Sequence, residues 1–113
     1  MKHIGVTGGR YYNKKRSVTE ALDGAVYEHG SVTLHVGDAT GADALARSWA
    51  FSRDIPVIVY YADWQAHGKA AGPIRNRQMV ENIDVLYAFP GGRGTADCTR
   101  AARELGVDIW ILR

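Results

Sequence analysis

Cysteine occurs once in the 113 residues, at Cys98. A single thiol excludes an internal disulfide and any metal site built from several thiolates, and such sparing use fits a reducing compartment. An excess of one charge is also missing: 14 Lys and Arg stand against 12 Asp and Glu, a formal net charge of +2. That is too small to argue for a nucleic acid partner, which is not expected. No apolar run approaches the about 20 residues of a membrane span. The first residues, Met1-Lys2-His3-Ile4-Gly5-Val6, enter a strand pattern with no apolar leader before it. A cytoplasmic protein that makes no use of a membrane is expected. His3, His29, His35 and His67 are scattered without metal-ligand spacing, so no metal and no cofactor is assigned.

Glycine, by contrast, is abundant at 13 residues, and it is concentrated after apolar runs. The stretch that organises the chain is Phe89-Pro90-Gly91-Gly92-Arg93-Gly94-Thr95-Ala96-Asp97. It follows the apolar run from Val85 and opens a helical pattern reaching about Leu105. Pro90 closes a strand by fixing its own φ and removing a donor. Gly91, Gly92 and Gly94 let a ligand approach the backbone without meeting a Cβ. Together with the free N–H groups and positive dipole end of the following helix, such a loop suits a phosphate. Thr95 is placed either to cap the helix or to bond a phosphate oxygen.

Taken in order, Lys2 to Thr7 reads as a buried strand ended by Gly8-Gly9-Arg10-Tyr11-Tyr12, and Val18, Ala21, Leu22, Ala25 and Val26 then recur at helical spacing. Gly30 stops that helix, Val32 to Val36 forms a second strand, and Gly37-Asp38-Ala39-Thr40-Gly41-Ala42-Asp43 is a second loop. Ala42, Leu45, Ala46, Trp49 and Ala50 give a second amphipathic helix, and Ile55 to Tyr60 a third strand with Pro56 near its start. The pattern lapses from Ala62 to Pro73, which reads as a long connection. Ile74 to Asn82 predicts a short helix, Asp84 to Phe89 a fourth strand, and Val107 to Leu112 a fifth. Strands alternating with helices imply right-handed crossovers. The expectation is an α/β fold, a single Rossmann-like domain over residues 1–113 with a five-stranded parallel sheet, order 3-2-1-4-5, sandwiched by helices. In that order the glycine loops after strands one, two and four meet at one crevice, at the carboxyl ends of the strands.

Gly8 and Gly9 offer backbone donors, Arg10 a guanidinium, and Tyr11 or Tyr12 a ring for a base or sugar. The dinucleotide fingerprint Gly-x-Gly-x-x-Gly is absent, so NAD binding is not predicted. In the second loop, beside Gly37, Asp38 and Asp43 are carboxylates for ribose hydroxyls, although Thr40 reads equally as a helix cap and Asp43 as a first-turn residue favoured by the dipole. Arg75 and Met79 share one helix face, Met79 toward the core, with Asn76 beside them; Arg77 points elsewhere. Trp64 is either a lid aromatic over a base or a core anchor for its loop. Cys98 falls with Ala101, Ala102 and Leu105 on an apolar stripe, which argues for a buried thiol.

Gly8-Gly9-Arg10, Gly41-Ala42-Asp43, Ala62-Asp63-Trp64, the run from Ala71 to Met79 and the run from Ala88 to Thr95 together resemble the YspA-like, YpsA-related branch of the SLOG superfamily, over nearly the whole chain and in the same order. More distantly the chain is similar to the Lonely Guy phosphoribohydrolases, through Arg75 to Met79 and the Pro-Gly-Gly-x-Gly-Thr loop. The resemblance implies a Rossmann-like fold and a nucleotide or nucleotide-derived ligand, with a role as sensor or sequestering protein in bacterial or phage conflict systems. It also implies a homo-oligomer, a dimer or larger. Lonely Guy enzymes cleave the N-glycosidic bond of nucleoside monophosphates with an arginine and a glutamate. Arg75 falls where that arginine does, but Cys98 stands at the glutamate's position. Cleavage through an oxocarbenium-like state calls for a carboxyl group, leaving Asp97 and Asp43 as the first candidate substitutes beside Arg75, with Asp38 and Asp63 as others. The expected ligand set is Gly8, Gly9, Arg10, Tyr11, Gly37, Asp38, Asp43, Trp64, Arg75, Asn76, Pro90, Gly91, Gly92, Arg93, Gly94 and Thr95. Binding with poor hydrolysis is the leading expectation, hydrolysis the alternative, and a DNA-binding module the third.

Overall fold

The structure, a computed structural model, describes residues 1–113. Five strands, β1 (Lys2–Thr7), β2 (Val32–Gly37), β3 (Val57–Tyr60), β4 (Val85–Ala88) and β5 (Asp108–Ile111), form one parallel sheet in the order β3-β2-β1-β4-β5. Register runs Ile4 beside Leu34 on one flank and beside Val85 on the other. Helices α1 (Lys15–His29) and α2 (Ala42–Ser52) cover one face. There Val18, Leu22, Ala46 and Trp49 pack on Ile4, Leu34, Val36 and Phe89. Helices α4 (Ala71–Val80) and α5 (Arg93–Glu104) cover the other, where Met79, Val80, Cys98 and Ala102 enclose Leu86. Each fully buried Leu, Ile or Val side chain contributes about 1.5–3 kcal/mol, so the two clusters fix which face every strand residue takes.

The predicted sheet order is the one observed, and strand ends agree within a residue except at β3. Ile55 donates its N–H to Ala50 O at 2.9 Å and so belongs to the exit of α2, while Pro56 accepts from Leu34 ahead of the strand proper. The connection after β3 is not the long loop expected. Asp63 caps a single turn, α3 (Trp64–His67), by accepting from Ala66 N–H at 3.1 Å, and a 3₁₀ turn over Gly68–Ala70 leads into α4. That helix begins at Ala71, not Ile74, and ends at Val80, not Asn82. Pro73 sits in its first turn, where the missing N–H had no intrahelical partner anyway. Gly30 stops α1 as expected, with φ 78° and its N–H on Val26 O.

Candidate functional site

The carboxyl ends of β1, β2 and β4 open into a crevice of about 550 Å³. Its walls are the β1–α1 loop from Gly8 to Tyr12, Gly37 and Ala39 with Asp43 behind them, Arg75 and Asn76 from α4, and the loop from Pro90 to Thr95. The sequence thus brings its three glycine loops to one place, because adjacent parallel strands end on the same edge.

The glycines serve two different purposes. Loop-to-loop packing demands most of them: a Cβ on Gly8 would lie 2.5 Å from Ala42 Cβ, one on Gly9 3.1 Å from Pro90 O, and one on Gly37 2.6 Å from both Arg75 Nη1 and Asp43 Oδ2. Gly41 has φ 71° and lies against the main chain of Gly9 and Arg10. Gly92 and Gly94 are different, since a Cβ on either would meet nothing within 4 Å. Helix α5 starts at Arg93 with Gly92 as its N-terminal flank, so Gly94 and Thr95 lie in its first turn and Thr95 caps nothing. The first helical bond runs from Ala96 N–H to Gly92 O at 3.0 Å. The five consecutive N–H groups from Gly91 to Thr95 therefore have no acceptor within the protein. Thr40 is not a cap either; its hydroxyl donates to Arg10 O at 2.8 Å.

Arg75 is held rather than free. Its Nη1 donates to Asp38 Oδ1 at 2.8 Å and its Nε to Asn76 Oδ1 at 3.0 Å. Asn76, buried, donates in turn to Gly94 O at 3.2 Å and Asp97 Oδ2 at 3.0 Å, which ties the arginine to the first turn of α5. Asp43 is buried beside them, and that burial pushes its carboxyl above the usual carboxylate range, against the opposing pull of Arg75. The sequence reading missed Arg47, whose Nη1 donates to Gly37 O at 2.8 Å and Ala39 O at 3.0 Å. Its position four residues after Asp43 on one helix face was the available signal.

Not every expected residue reaches the crevice. Asp38 contributes through its ion pair with Arg75. Asp97 turns into a separate groove between α4 and α5, where it also pairs with Arg100 at 2.8 Å. Trp64, 55% exposed, does not line the crevice and is no core anchor; its ring lies near Gly72 on the outer side of α4. Tyr12 packs on Phe89, with ring centroids 5.5 Å apart, leaving Tyr11, 89% exposed, as the free ring at the mouth. Cys98 is fully buried, and that burial raises its thiol to about 12. Arg77 pairs with Glu104 at 3.2 Å, away from the crevice.

Comparison with known proteins gives consistent results. The family model of the YspA, cpYpsA-related SLOG family matches residues 3–67. The gene 61 protein of Mycobacterium phage D29 is 36% identical over 96% of this chain and 94% of its own. Among solved structures, DNA processing protein A (DprA) from Streptococcus pneumoniae aligns with a TM-score of 0.82 at 19% identity, over 98% of this chain and 50% of its own length. The protein TM1055 aligns with a TM-score of 0.76 at 20% identity, over 96% of this chain and 72% of its own. At those identities the structures establish a shared fold, and this chain spans half the length of DprA. No helix is long and apolar enough to cross a membrane.

Proposed function

The chain belongs to the YspA, cpYpsA-related SLOG family, and from that premise we propose that its crevice binds a nucleotide or nucleotide-derived ligand by the phosphate. The observation that carries this reading is the run of unpaired N–H groups from Gly91 to Thr95, at a helix start and in a crevice. Unpaired amides in a concavity beside positive charge bind anions well, and Arg10 and Arg93 line the same crevice with no carboxylate partner. Asp43 and Arg75, the latter oriented by Asp38, supply groups for ribose hydroxyls, and exposed Tyr11 supplies a face for a base. A role in sensing or sequestering a nucleotide signal in conflicts between phage and host is what the family resemblance implies for such a binder.

Binding without rapid hydrolysis is the preferred form of the reading. Cys98 occupies the glutamate position of the Lonely Guy enzymes as a buried thiol, and Asp97 is spent on Asn76 and Arg100. Phosphate contacts alone bind ground and transition states alike. Native mass spectrometry of protein purified from cells tests the reading. Retention of a nucleotide-sized mass is expected; a bare chain that also takes up neither added AMP nor added ADP overturns it.

A further inference from the structure

One phosphate does not use all that the crevice offers. The N–H groups from Gly91 to Thr95 form one anion-binding set with Arg93. A second set stands on the β1–α1 loop, where the N–H groups of Gly8, Arg10 and Tyr11 also lack protein acceptors and the Arg10 side chain has no carboxylate partner. The main chain beneath Arg10 is firmly seated. Thr40 Oγ1 donates to Arg10 O at 2.8 Å, Ala42 N–H donates to Gly9 O at 3.1 Å, and the bare Cα of Gly41 lets that segment close against it. The segment Thr40 to Ala42 thus holds the root of an arginine whose head has no carboxylate partner.

The two sets are neighbours. Gly9 N–H donates to Pro90 O at 2.8 Å, and a Cβ on Gly9 would lie 3.3 Å from Gly91 Cα. Both loops line one crevice; two separate anions there would repel, whereas two phosphoryl groups joined by a bridging oxygen make one ligand that can use both sets. Charge favours the same choice. A phosphate monoester carries about 1.5 to 2 negative charges, which the α5 start and Arg93 match. Arg10 is then left over, with Lys14 and Lys15 exposed and unpaired just beyond it. Asp38 and Asp43 offset none of these, since both already face Arg75.

We infer that the ligand carries a pyrophosphate, as a nucleoside diphosphate or a larger nucleotide built on one, with one phosphoryl on Gly91 to Thr95 and the other on Arg10 and its loop. This inference rests on the nucleotide reading above. Titration calorimetry with AMP and with ADP, on the wild-type chain and on Arg10→Ala and Arg93→Ala, tests it. ADP is expected to bind about tenfold more tightly than AMP, a difference of about 1.4 kcal/mol. Arg10→Ala is expected to cost ADP most of that advantage and AMP much less, while Arg93→Ala costs both alike. The melting temperature of Arg10→Ala should stay near wild type, because the bonds to this segment are made by its main chain. Equal binding of AMP and ADP by the wild type, or an equal loss of both in Arg10→Ala, overturns the pyrophosphate and leaves nucleotide binding standing. Failure of the wild type to bind either nucleotide overturns both.

Discussion

Gly92→Val tests the proposed phosphate cradle apart from the fold. Gly92 has a negative φ, −101°, and a Cβ there meets no atom within 4 Å. The isopropyl group would stand in the open crevice over the amides a phosphate needs. Valine is a poorer helix flank than glycine, which costs about 1 kcal/mol of stability. Loss of two hydrogen bonds to a charged group, at about 1.5–3 kcal/mol each, removes about 3–6 kcal/mol of binding. Affinity for AMP by calorimetry should fall by about two to four orders of magnitude. Gly91→Ala is the contrast, because its new Cβ would lie 2.6 Å from Gly9 N and 3.0 Å from Gly8 C, both backbone. That collision should lower the denaturation midpoint by the equivalent of about 1–3 kcal/mol as well as weaken binding. Unchanged AMP affinity in Gly92→Val would refute the cradle.

Stability should fall as the medium is acidified through the histidine range. Buried His35 bonds His3 at 2.8 Å and Tyr60 at 2.9 Å, and burial, then His3, holds its pKa below 6.5. Its contribution is full above 6.5, where neither state is protonated, and is lost as pH falls through the folded value; chemical denaturation at stepped pH should show a slope that His35→Gln flattens. Cys98, raised to about 12, should resist thiol reagents at neutral pH until denaturant is added, and rapid native labelling contradicts its burial. Asn76→Asp should weaken AMP binding by about tenfold or more, since a carboxylate can donate neither to Gly94 O nor to Asp97; near-normal affinity would show that Arg75 is positioned without it. Release of ribose 5-phosphate from AMP should stay well below about 1 per second, and a faster rate that Asp43→Asn abolishes would make Asp43 the working carboxyl. Trp64, Trp110 and Ile111 are all exposed; light scattering at tens of micromolar should give at least a dimer mass, and a strictly monomeric one contradicts it.

The sheet order and the meeting of three glycine loops were legible because both follow from periodicity: continuous apolar runs, each emptying through glycine into a 3.6-residue pattern. Less legible were features set by distant partners. Nothing near Asp97 in sequence reveals that Asn76 and Arg100 consume its carboxylate, and Thr40 reads as a cap until Arg10 O arrives from another loop. The turn at Trp64 hid because four residues carry too little periodicity, although Asp63 was a capping residue in plain view. Glycine was over-read in one respect. Gly8, Gly9 and Gly91 are explained by backbone packing on backbone or Cβ, and of the glycines lining the crevice only Gly92 and Gly94 leave open space.

The most direct test of phosphate binding at the start of α5 is a titration of the ¹⁵N-labelled chain with AMP, followed by the backbone amide resonances from Gly91 to Thr95. These amides have no acceptor in the protein, so an arriving phosphate should shift them together, with a single saturation curve, and Gly92→Val should abolish the response. Amides from Gly91 to Thr95 that stay in place at millimolar AMP, or shifts confined to other loops, would contradict it.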